Sequence, residues 1–234
     1  MKFFKKIGIF FATTGMYPLR IAMAIAGAPI YIINLGKLLI GSRDGWSISI
    51  FPMLPDRFEK SGVATGHYFH MDLWASRLIY NSNVNKLVDV GSRVDGFIAH
   101  ILTFREIEVF DVRPLVSTTK GLTFRIIDMT NPDESPVDYA DFVTCLHTLE
   151  HFGLGRYGDK VNMSGWKIGL NNLARMVSRN GNILIAVPIG RERIEFDAHR
   201  VFRPETIINA VTALGFKLNS FSVVDDDGNF LGKN

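Results

Sequence analysis

The 234-residue chain is predicted to have an α/β fold, in which helices cover both faces of a mostly parallel sheet. Three observations favour this fold. Short apolar runs typical of strands follow one another, helical patterns fall between some of them, and turn residues separate them. Hydrophobic residues make up 47% of the chain and aromatic residues 12%, which is enough for one sizeable core.

The predicted elements of this fold begin with a helix over 67–80, where HYFHMDLWASRLIY has apolar residues at helical spacing. The predicted strands are 86–90, 107–112, 122–128, 142–146 and 182–187. The predicted helices among and after them are 94–104, 165–177 and 204–214. In the last helix, Pro204 suits the first turn and Gly215 suits the C-terminal stop.

Residues 1–41 differ in composition from the rest of the chain. They contain no acidic residue and five basic ones, which are Lys2, Lys5, Lys6, Arg20 and Lys37. Two apolar runs, 7–16 and 21–35, fall short of the roughly 18–20 apolar residues that a membrane-spanning helix needs. Four interpretations stay open: a helical extension packed on the core, a hairpin or helix in the membrane interface, a signal peptide, and a single span.

The domain organisation follows from this contrast in composition. Residues 42–66 are predicted to be a linker rich in Gly, Ser and Pro, and 67–234 a single α/β domain. The net charge of +3 is too balanced to indicate a nucleic-acid-binding protein. The single cysteine, Cys145, gives no support for disulfides and fits a reducing compartment. We therefore expect a cytoplasmic protein, with peripheral contact to the inner membrane through residues 1–41.

The turn after the first strand indicates which cofactor the fold would bind, because such sheets bind ligands at the carboxyl ends of their strands. The segment Gly91–Gly96, GSRVDG, has the glycine spacing of a phosphate-binding P-loop. However, Phe97 and Ile98 stand where that loop needs Lys and then Ser or Thr. A dinucleotide-binding turn needs its second glycine at the position of Arg93. Both interpretations are therefore disfavoured.

S-adenosylmethionine fits the acidic residues that follow the next two strands. This cofactor carries no phosphate, so it asks less of a glycine loop. Asp111 lies 20 positions after Gly91, which is the spacing of a ribose-binding carboxylate. Asp128 follows the third strand and is placed for the adenine amino group. Either Asp alone also fits a solvated strand end, so the prediction depends on their order along successive strands.

Four segments carry a resemblance to a known family: LVDVGSRVDGFIAH, VFDVRPL, LHTLEHFGLGRYGD and VPIGRERIEFDAHRVFRPETI. The chain resembles a bacterial family, the domain-of-unknown-function family 268, over roughly residues 63–231. The most distinctive segments are HYFHMDLW and HFGLGRYGD. The resemblance implies a Rossmann-like class I methyltransferase fold, with a doubly wound, mostly parallel sheet and an antiparallel C-terminal strand.

The resemblance also implies a function, because genes of this family often accompany surface-polysaccharide genes. It implies an S-adenosylmethionine-dependent O-methyltransferase that acts on a sugar hydroxyl of a small-molecule or glycan acceptor. The residues expected to bind the cofactor are Asp89, Gly91, Ser92, Arg93, Gly96, Asp111, Arg113, Asp128, Met129 and His147. Two alternatives stay open: a non-catalytic scaffold of a membrane-associated glycan complex, and a different Rossmann-like enzyme acting on nucleotide sugars.

The glycine loop departs from the usual methyltransferase pattern, D/E-x-G-x-G-x-G. Asp89 and Gly91 are retained, but Arg93 and Asp95 stand where the later glycines would be. Gly96 would supply a close approach one position later. Arg93 either pairs with the carboxylate of the methionyl group or pairs with Asp95 or Asp89 and shapes the loop.

Methyl transfer to a hydroxyl needs an aligned acceptor and a base that takes its proton. Histidine suits this role because its pKa lies near neutrality. We expect His151 to be the base, with His199 as the second candidate. Glu150, which lies between His147 and His151 in the chain, is expected to be part of the catalytic group. The competing interpretation is a structural histidine; a metal site is not predicted, because H-x-x-x-H lacks the zincin glutamate.

Two polar loops are expected to bind the acceptor. FGLGRYGD, residues 152–159, is rich in glycine and offers Arg156 and Tyr157 as contacts for a sugar. GRERIEFDAHR, residues 190–200, adds Arg191 and Arg193, which suit an anionic or nucleotide-linked sugar. A solvated charged loop is the competing interpretation.

Overall fold

The structure is a computed structural model, and it describes residues 15, 17–41 and 45–232. The chain divides into two compact units, Met1–Ala64 and Thr65–Asn234. The boundary between the two units falls inside the segment predicted to be a linker. The predicted apolar run 7–16 and the three lysines before it lie outside the described residues, apart from Gly15.

The first unit contains helix α1, Pro18–Ile40. Pro18 suits the first turn, where its missing N–H would have no partner, and Gly41 follows the last helical residue. The helix continues through Pro29 for 23 residues, and an 18-residue stretch of it has a mean hydropathy of 1.7. It is the one helix among the described residues whose length and composition would let it cross a membrane. The predicted apolar run 21–35 is thus part of a longer helix that extends beyond it at both ends.

The second unit is built on a parallel five-stranded sheet. Its strands are β1 Leu87–Val90, β2 Ile107–Asp111, β3 Leu122–Ile126, β4 Ala140–Leu146 and β5 Val177–Ala186. Their order across the sheet is β3-β2-β1-β4-β5, and every neighbouring pair is parallel. The sheet is thus doubly wound, and its switch point lies between β1 and β4.

Helices and a small hairpin complete the second unit. The helices are α2 His67–Tyr80, α3 Ala99–Ile101, α4 Gly165–Met176 and α5 Pro204–Ala213, and the hairpin strands are β6 Arg193–Glu195 and β7 His199–Val201. A π-helical turn, Val94–Ile98, leads into α3, because Gly96 has non-helical backbone angles (φ −120°, ψ −106°). The helix predicted over 94–104 is therefore irregular at its start. A 3₁₀ turn, Leu149–His151, follows β4.

Two apolar clusters pack on opposite faces of the sheet, because side chains alternate along each strand. Leu87 of β1 belongs to the cluster that includes Ile79 of α2. Val88 and Val90 belong to the other cluster, with Leu173 of α4. Burying one such side chain contributes about 1.5–3 kcal/mol, so each face of β1 holds helices on the sheet.

The predicted fold class is confirmed, with a mostly parallel sheet and flanking helices. Antiparallel pairing occurs in the separate β6–β7 hairpin and in an isolated bridge between Val224 and Phe230. Within the five-stranded sheet, the described strands are all parallel, so the C-terminal antiparallel pairing lies outside it. β5 begins directly after α4 and pairs irregularly with β4 between Ala140 and Phe142, so it is longer than predicted.

Candidate functional site

The carboxyl ends of β1, β2 and β4 and the loop after β3 line one pocket beside the switch point. The space between these elements, open mouth included, is about 510 Å³. Its apolar lining comes from Val90, Phe110, Ile127, Met129 and Phe152. Polar side chains from the strand ends face the same space.

Gly91 makes the turn at the end of β1. Its φ of +72° is a left-handed conformation that L side chains rarely adopt. A Cβ here would lie 2.4 Å from Cγ2 of Thr148, which follows β4. The two neighbouring strand ends therefore approach closely, and only a glycine leaves room for this approach.

Asp89 supports this turn from beneath and does not line the pocket. Its side chain is fully buried and accepts hydrogen bonds from Ser92 N (2.9 Å), Ser92 Oγ (2.6 Å) and Thr144 Oγ1 (2.6 Å). Burial raises the pKa of Asp89 to about 6, although these hydrogen bonds favour the charged form. Asp89 and Ser92 thus hold the loop and do not line the pocket, and their contact with the cofactor stays a prediction.

Arg93 pairs with Asp95 within the loop. Its Nε lies 3.1 Å from Asp95 Oδ1, and its Nη2 lies 2.8 Å from Asp95 Oδ2. Both side chains are exposed, and Arg93 lowers the pKa of the Asp95 carboxyl. Of the two interpretations of Arg93, the structure has the loop-shaping one, with Asp95 as the partner.

Gly96 lets helix α2 approach the loop. A Cβ on Gly96 would lie 2.6 Å from Oδ2 of Asp72, a buried residue in the first half of α2. Burial raises the pKa of Asp72, while the nearby His100 and Arg93 lower it. Asp72 is therefore a buried carboxylate beside the glycine loop, and its place in the sequence indicated only a helix near the cofactor.

Asp111 ends β2 and opens into the pocket. Its side chain is 11% exposed, and Arg113 binds both of its oxygens. Arg113 donates from Nε to Oδ1 (3.0 Å) and from Nη2 to Oδ2 (2.6 Å), and its backbone N–H donates to Oδ1 (2.8 Å). The carboxylate predicted to bind ribose thus lies in the pocket, and an arginine from its own loop covers it.

Asp128 and Met129 form the pocket wall after β3. Asp128 Oδ1 accepts hydrogen bonds from Thr130 N (2.8 Å) and Thr130 Oγ1 (2.7 Å). The Met129 carbonyl accepts a hydrogen bond from Nδ2 of Asn172 (2.9 Å), which is fully buried on α4. Asn172 therefore anchors this wall. Asn172 was not among the predicted site residues, although an Asn among the apolar residues of a predicted helix was a usable signal.

Glu150 lies buried between two histidines at the end of β4. Its Oε1 is 3.1 Å from His147 Nδ1 and 3.9 Å from His151 Nε2, and its side chain is only 2% exposed. Among the described residues, Glu150 Oε2 has no hydrogen-bond partner. A buried carboxylate of this kind would stabilise positive charge on either imidazole.

His151 is held in one orientation by the hairpin. Its Nδ1 lies 2.7 Å from the carbonyl oxygen of Ala198, so we assign the proton of the neutral ring to Nδ1. Nε2, on the side of Glu150, is then free to accept a proton. Burial lowers the pKa of His151, and Glu150 partly offsets this effect. The ring is thus a neutral base near pH 7, and it lines the pocket.

His147 has an unusual backbone conformation for a histidine, with φ +53°. Its N–H donates to the Ala186 carbonyl (2.9 Å), and its ring lies 5.3 Å from the ring of Tyr68 on α2. A left-handed backbone at a residue that lines a pocket is typical of functional sites.

The loop after β4 carries an aromatic ring that lies near two guanidinium groups. The ring centre of Tyr157 lies 4.5 Å from the guanidinium of Arg113 and 5.2 Å from that of Arg156. Asp159 accepts hydrogen bonds from the backbone of Gly153 (2.8 Å) and holds the loop. Tyr157 lines the pocket, whereas Arg156 lies outside its lining and donates to a hairpin carbonyl.

The β6–β7 hairpin carries the other predicted residues. His199 lies in β7 close enough to His151 that its charge would lower the pKa of that ring. Arg191 and Arg193 are exposed, and Arg193 pairs with Glu195 (2.7 Å). None of these three predicted residues lines the pocket. A role of His199 as a base and of Arg191 and Arg193 in binding the acceptor stays a prediction.

The structure brings part of the predicted set together. The predicted residues that line the pocket are Gly91, Asp111, Arg113, Asp128, Met129, His147, His151 and Tyr157. Those outside its lining are Asp89, Ser92, Arg93, Gly96, Glu150, Arg156, Arg191, Arg193 and His199. In the described part of the chain, no group of three His, Cys, Asp or Glu residues is arranged to hold a metal ion.

Comparison with known families gives one match. The model of a family described as "Caenorhabditis protein of unknown function, DUF268" matches residues 88–228. This range begins at Val88, the second residue of β1, and ends in the C-terminal segment, so it includes all five strands of the sheet except Leu87. No curated protein matches the chain in sequence.

Solved structures share the fold of the chain at low sequence identity. A SAM-dependent methyltransferase from Archaeoglobus fulgidus is 18% identical, with a TM-score of 0.50, and the match covers 65% of this chain and 70% of that one. The 1,6-didemethyltoxoflavin-N1-methyltransferase of Burkholderia thailandensis is 11% identical, with a TM-score of 0.50 and coverage of 68% and 72%.

An O-methyltransferase family protein from Burkholderia thailandensis is 12% identical, with a TM-score of 0.49. The match covers 65% of this chain and 53% of that one, so the chain spans about half the length of this relative. At these identities, the similarities establish the class I methyltransferase fold and nothing about the reaction.

Proposed function

The chain belongs to the DUF268 family, and we propose that it is an S-adenosylmethionine-dependent methyltransferase acting on a sugar hydroxyl in surface-polysaccharide assembly. One observation carries the proposal: Asp111, Asp128 and His151, from three different strand ends, open into a single pocket beside Gly91. The carboxyl edge at a switch point is where α/β sheets bind ligands. A cytoplasmic location suits this cofactor.

The pocket residues fit S-adenosylmethionine. Gly91 lines the pocket, so a ligand there can approach its backbone. Asp111 offers a carboxylate for ribose hydroxyls, and Asp128 keeps Oδ2 for an amino group because its Asx turn uses only Oδ1. Phe110 and Met129 supply apolar surface for a flat ring. Both solved structures with a TM-score of 0.50 are methyltransferases, which supports the same choice of cofactor.

The proposed chemistry uses the two histidines and the carboxylate between them. The bound cofactor supplies an activated methyl group. His151 Nε2 takes the proton of the acceptor hydroxyl, while Nδ1 stays bonded to the Ala198 carbonyl. Glu150, 3.9 Å from Nε2, stabilises the imidazolium that results. Its burial strengthens this interaction, because few water molecules screen the charges.

The acceptor is proposed to lie against Tyr157. An aromatic ring at a pocket mouth offers a flat surface for a sugar, and Arg113 and Arg156 beside it suit an anionic group. A sugar as acceptor and a role in polysaccharide assembly rest on the resemblance of segments 87–100, 109–115, 146–159 and 187–207 to the DUF268 family.

A non-catalytic scaffold with the same fold is the second candidate. The ion pair between Arg113 and Asp111 favours it, because it occupies the carboxylate that a cofactor would need. The exposed Arg93 and Asp95 in place of loop glycines favour it as well. The open pocket beside a neutral His151 favours the enzyme.

Isothermal titration with S-adenosylmethionine and S-adenosylhomocysteine tests the proposal, with NAD and a nucleotide sugar as controls. We expect micromolar binding of the first two only. Asp111→Ala should weaken it by about tenfold or more, which corresponds to about 1.4 kcal/mol. Asp133→Ala, a matched change of an exposed acid outside the pocket, should leave it unchanged.

The outcomes separate the candidates. Binding of the nucleotide sugar alone would overturn the methyltransferase proposal in favour of the nucleotide-sugar enzyme. No binding of any ligand would favour the scaffold. Cofactor binding that Asp111→Ala leaves unchanged would refute the assignment of the ribose site.

A further inference from the structure

Helix α1 exposes an apolar face that no described residue of its own unit covers. We define this face by Ile21, Ile25, Ile32, Ile33 and Ile40, which are 59%, 70%, 66%, 57% and 90% exposed. With 3.6 residues per turn, these positions fall within an arc of about 120°. Soluble proteins rarely expose apolar patches of this extent, and those that do use them to bind a protein or a membrane.

The opposite face of α1 packs against the segment 46–59. A Cβ on Gly27 would overlap the backbone carbonyl of Leu54, so the helix and this segment are in close contact. Nearer the start of the helix, Arg20 donates from Nη2 (2.6 Å) and Nε (2.9 Å) to Glu59 Oε1. The segment thus runs back along the helix, and the apolar face points away from it.

The segment that follows α1 is also apolar and irregular. Trp46 is 80% exposed, Ile50 67%, Phe51 78% and Met53 56%. Among the described residues, 46–54 contains no helix or strand, and no backbone–backbone hydrogen bond joins it to another described residue. Exposed peptide groups without such partners bind water or side chains instead.

These two facts decide between crossing a bilayer and lying on it. If α1 crossed the hydrocarbon core, the segment 46–54 beside it would enter that core with its peptide groups unsatisfied. Each unsatisfied group costs several kcal/mol in hydrocarbon, and lipid-exposed irregular backbone does not occur there. In the plane of the interface, the same groups stay hydrated while the apolar face of α1 is buried.

The charges of this region select the lipid. Residues 1–41 carry five basic side chains and no acidic one. Between Arg20 and Lys37 the helix has no charged residue, so the cations flank the apolar stretch. Glu59 neutralises Arg20, and Lys37 at the other end has no such partner among the described ion pairs. Basic residues that flank an apolar stretch are attracted to anionic lipid headgroups.

We propose that α1 binds in the plane of an anionic phospholipid bilayer, with the apolar face in the boundary between headgroups and acyl chains. Both ends of the helix then stay on the same side of the membrane. This inference does not depend on the proposed methyltransferase activity.

Flotation of the full-length protein with vesicles tests the lipid contact. We expect binding to vesicles that contain phosphatidylglycerol and phosphatidylcholine, and weaker binding to vesicles of phosphatidylcholine alone. High salt should lower the binding to the mixed vesicles to the level seen with phosphatidylcholine alone, because salt screens only the attraction between charges. Changing Ile25→Glu and Ile32→Glu together should lower the partition coefficient tenfold or more. The matched variant Val116→Glu, at a 96% exposed site in the second unit, should bind as the wild type does.

A second experiment separates the in-plane helix from a span. Tyr17→Cys and Gly41→Cys place a thiol at each end of α1, and the native Cys145 is buried and should not react. On intact vesicles, a membrane-impermeant thiol reagent should label both ends. Labelling of one end only would overturn the in-plane arrangement in favour of a span.

Other results would overturn the proposal altogether. Dimerisation of the protein without binding to either kind of vesicle would identify a second copy as the partner. An intact mass that lacks α1 in protein isolated from cell membranes would identify a cleaved signal.

Discussion

Asp111 is the residue on which the proposed cofactor site depends, and Arg113 controls its availability. Arg113 binds both carboxylate oxygens in a two-point contact, the strongest geometry for this pair. A ribose hydroxyl that binds the same oxygens must displace the guanidinium or share them. Because Arg113 is about half exposed, solvent screens the pair and lowers the free-energy cost of displacing it.

We therefore predict that Arg113→Met increases the affinity for S-adenosylmethionine by several-fold. The change removes a competitor for Asp111 and keeps an apolar side chain beside Tyr157. Arg156→Met is the matched control, because Arg156 also lies over Tyr157 and does not contact Asp111. Titration calorimetry measures both affinities. Weaker binding by the Arg113→Met variant would mean that Arg113 is itself a cofactor contact.

The protonation of His151 is the second property that belongs to the residue scale. Burial disfavours the charged imidazolium and lowers the pKa, whereas Glu150 favours it. Because the pKa is lowered from 6.5, the neutral base persists as the pH falls to 6.5 and is lost only below it.

NMR titration of the imidazole checks this assignment without an acceptor. We predict a pKa below 6.5 for His151, with the proton of the neutral ring on Nδ1. Glu150→Gln should lower this pKa further, because it removes the negative charge 3.9 Å from Nε2. Glu106→Gln is the control, because Glu106 does not line the pocket. Asp159→Asn would not serve, because Asp159 holds the loop after β4. A proton on Nε2 would contradict the role of His151 as a base.

At the scale of elements, the turn after β1 joins two strand ends. Gly91 combines a left-handed backbone with a close approach to Thr148. Gly158 has a similar φ of +89° but no atom within 4 Å of a Cβ. The two glycines therefore separate the cost of the backbone conformation from the cost of the contact.

We predict that Gly158→Ala lowers the free energy of unfolding by about 1–2 kcal/mol, the cost of a left-handed L residue. Gly91→Ala should cost about 1–3 kcal/mol more, because its Cβ overlaps Thr148. In a Thr148→Ala background this extra cost should largely disappear. Urea denaturation measures each value; equal costs at both glycines would show that β1 and β4 do not meet as closely as the structure has them.

At the scale of the whole molecule, the second unit has its own apolar core. Both apolar clusters of the sheet belong to the second unit, and neither contains a residue before Met71. Residues 59–65, at the end of the first unit and the start of the second, are exposed and contain Lys60. The second unit should therefore keep its fold without the first.

Limited trypsin digestion tests this independence. We predict early cleavage after Lys60 and a stable fragment that begins at Ser61. The fragment should keep the affinity for S-adenosylmethionine, because the pocket lies wholly within it. Mass spectrometry identifies the fragment and calorimetry measures the affinity. Aggregation of the fragment or loss of binding would contradict the independence of the two units.

The order of the elements, and the strand ends at which the site lies, could be predicted from the sequence. Local periodicity indicated α2, α4 and α5, because a buried face imposes spacing on each helix. Parallel strands bring their carboxyl ends to one edge, so Asp111, Asp128 and His151 could be placed near each other before any distance was known.

The contacts of those side chains depend on the tertiary structure and could not be predicted from the sequence. The partner of Arg93, the burial of Asp89 and the anchor from Asn172 depend on contacts within about 3 Å. Such contacts depend on loop conformation and on residues far apart in the chain, and a sequence pattern contains neither. Backbone periodicity therefore predicted the edge of the sheet, whereas side-chain packing in three dimensions determined which residues line the pocket.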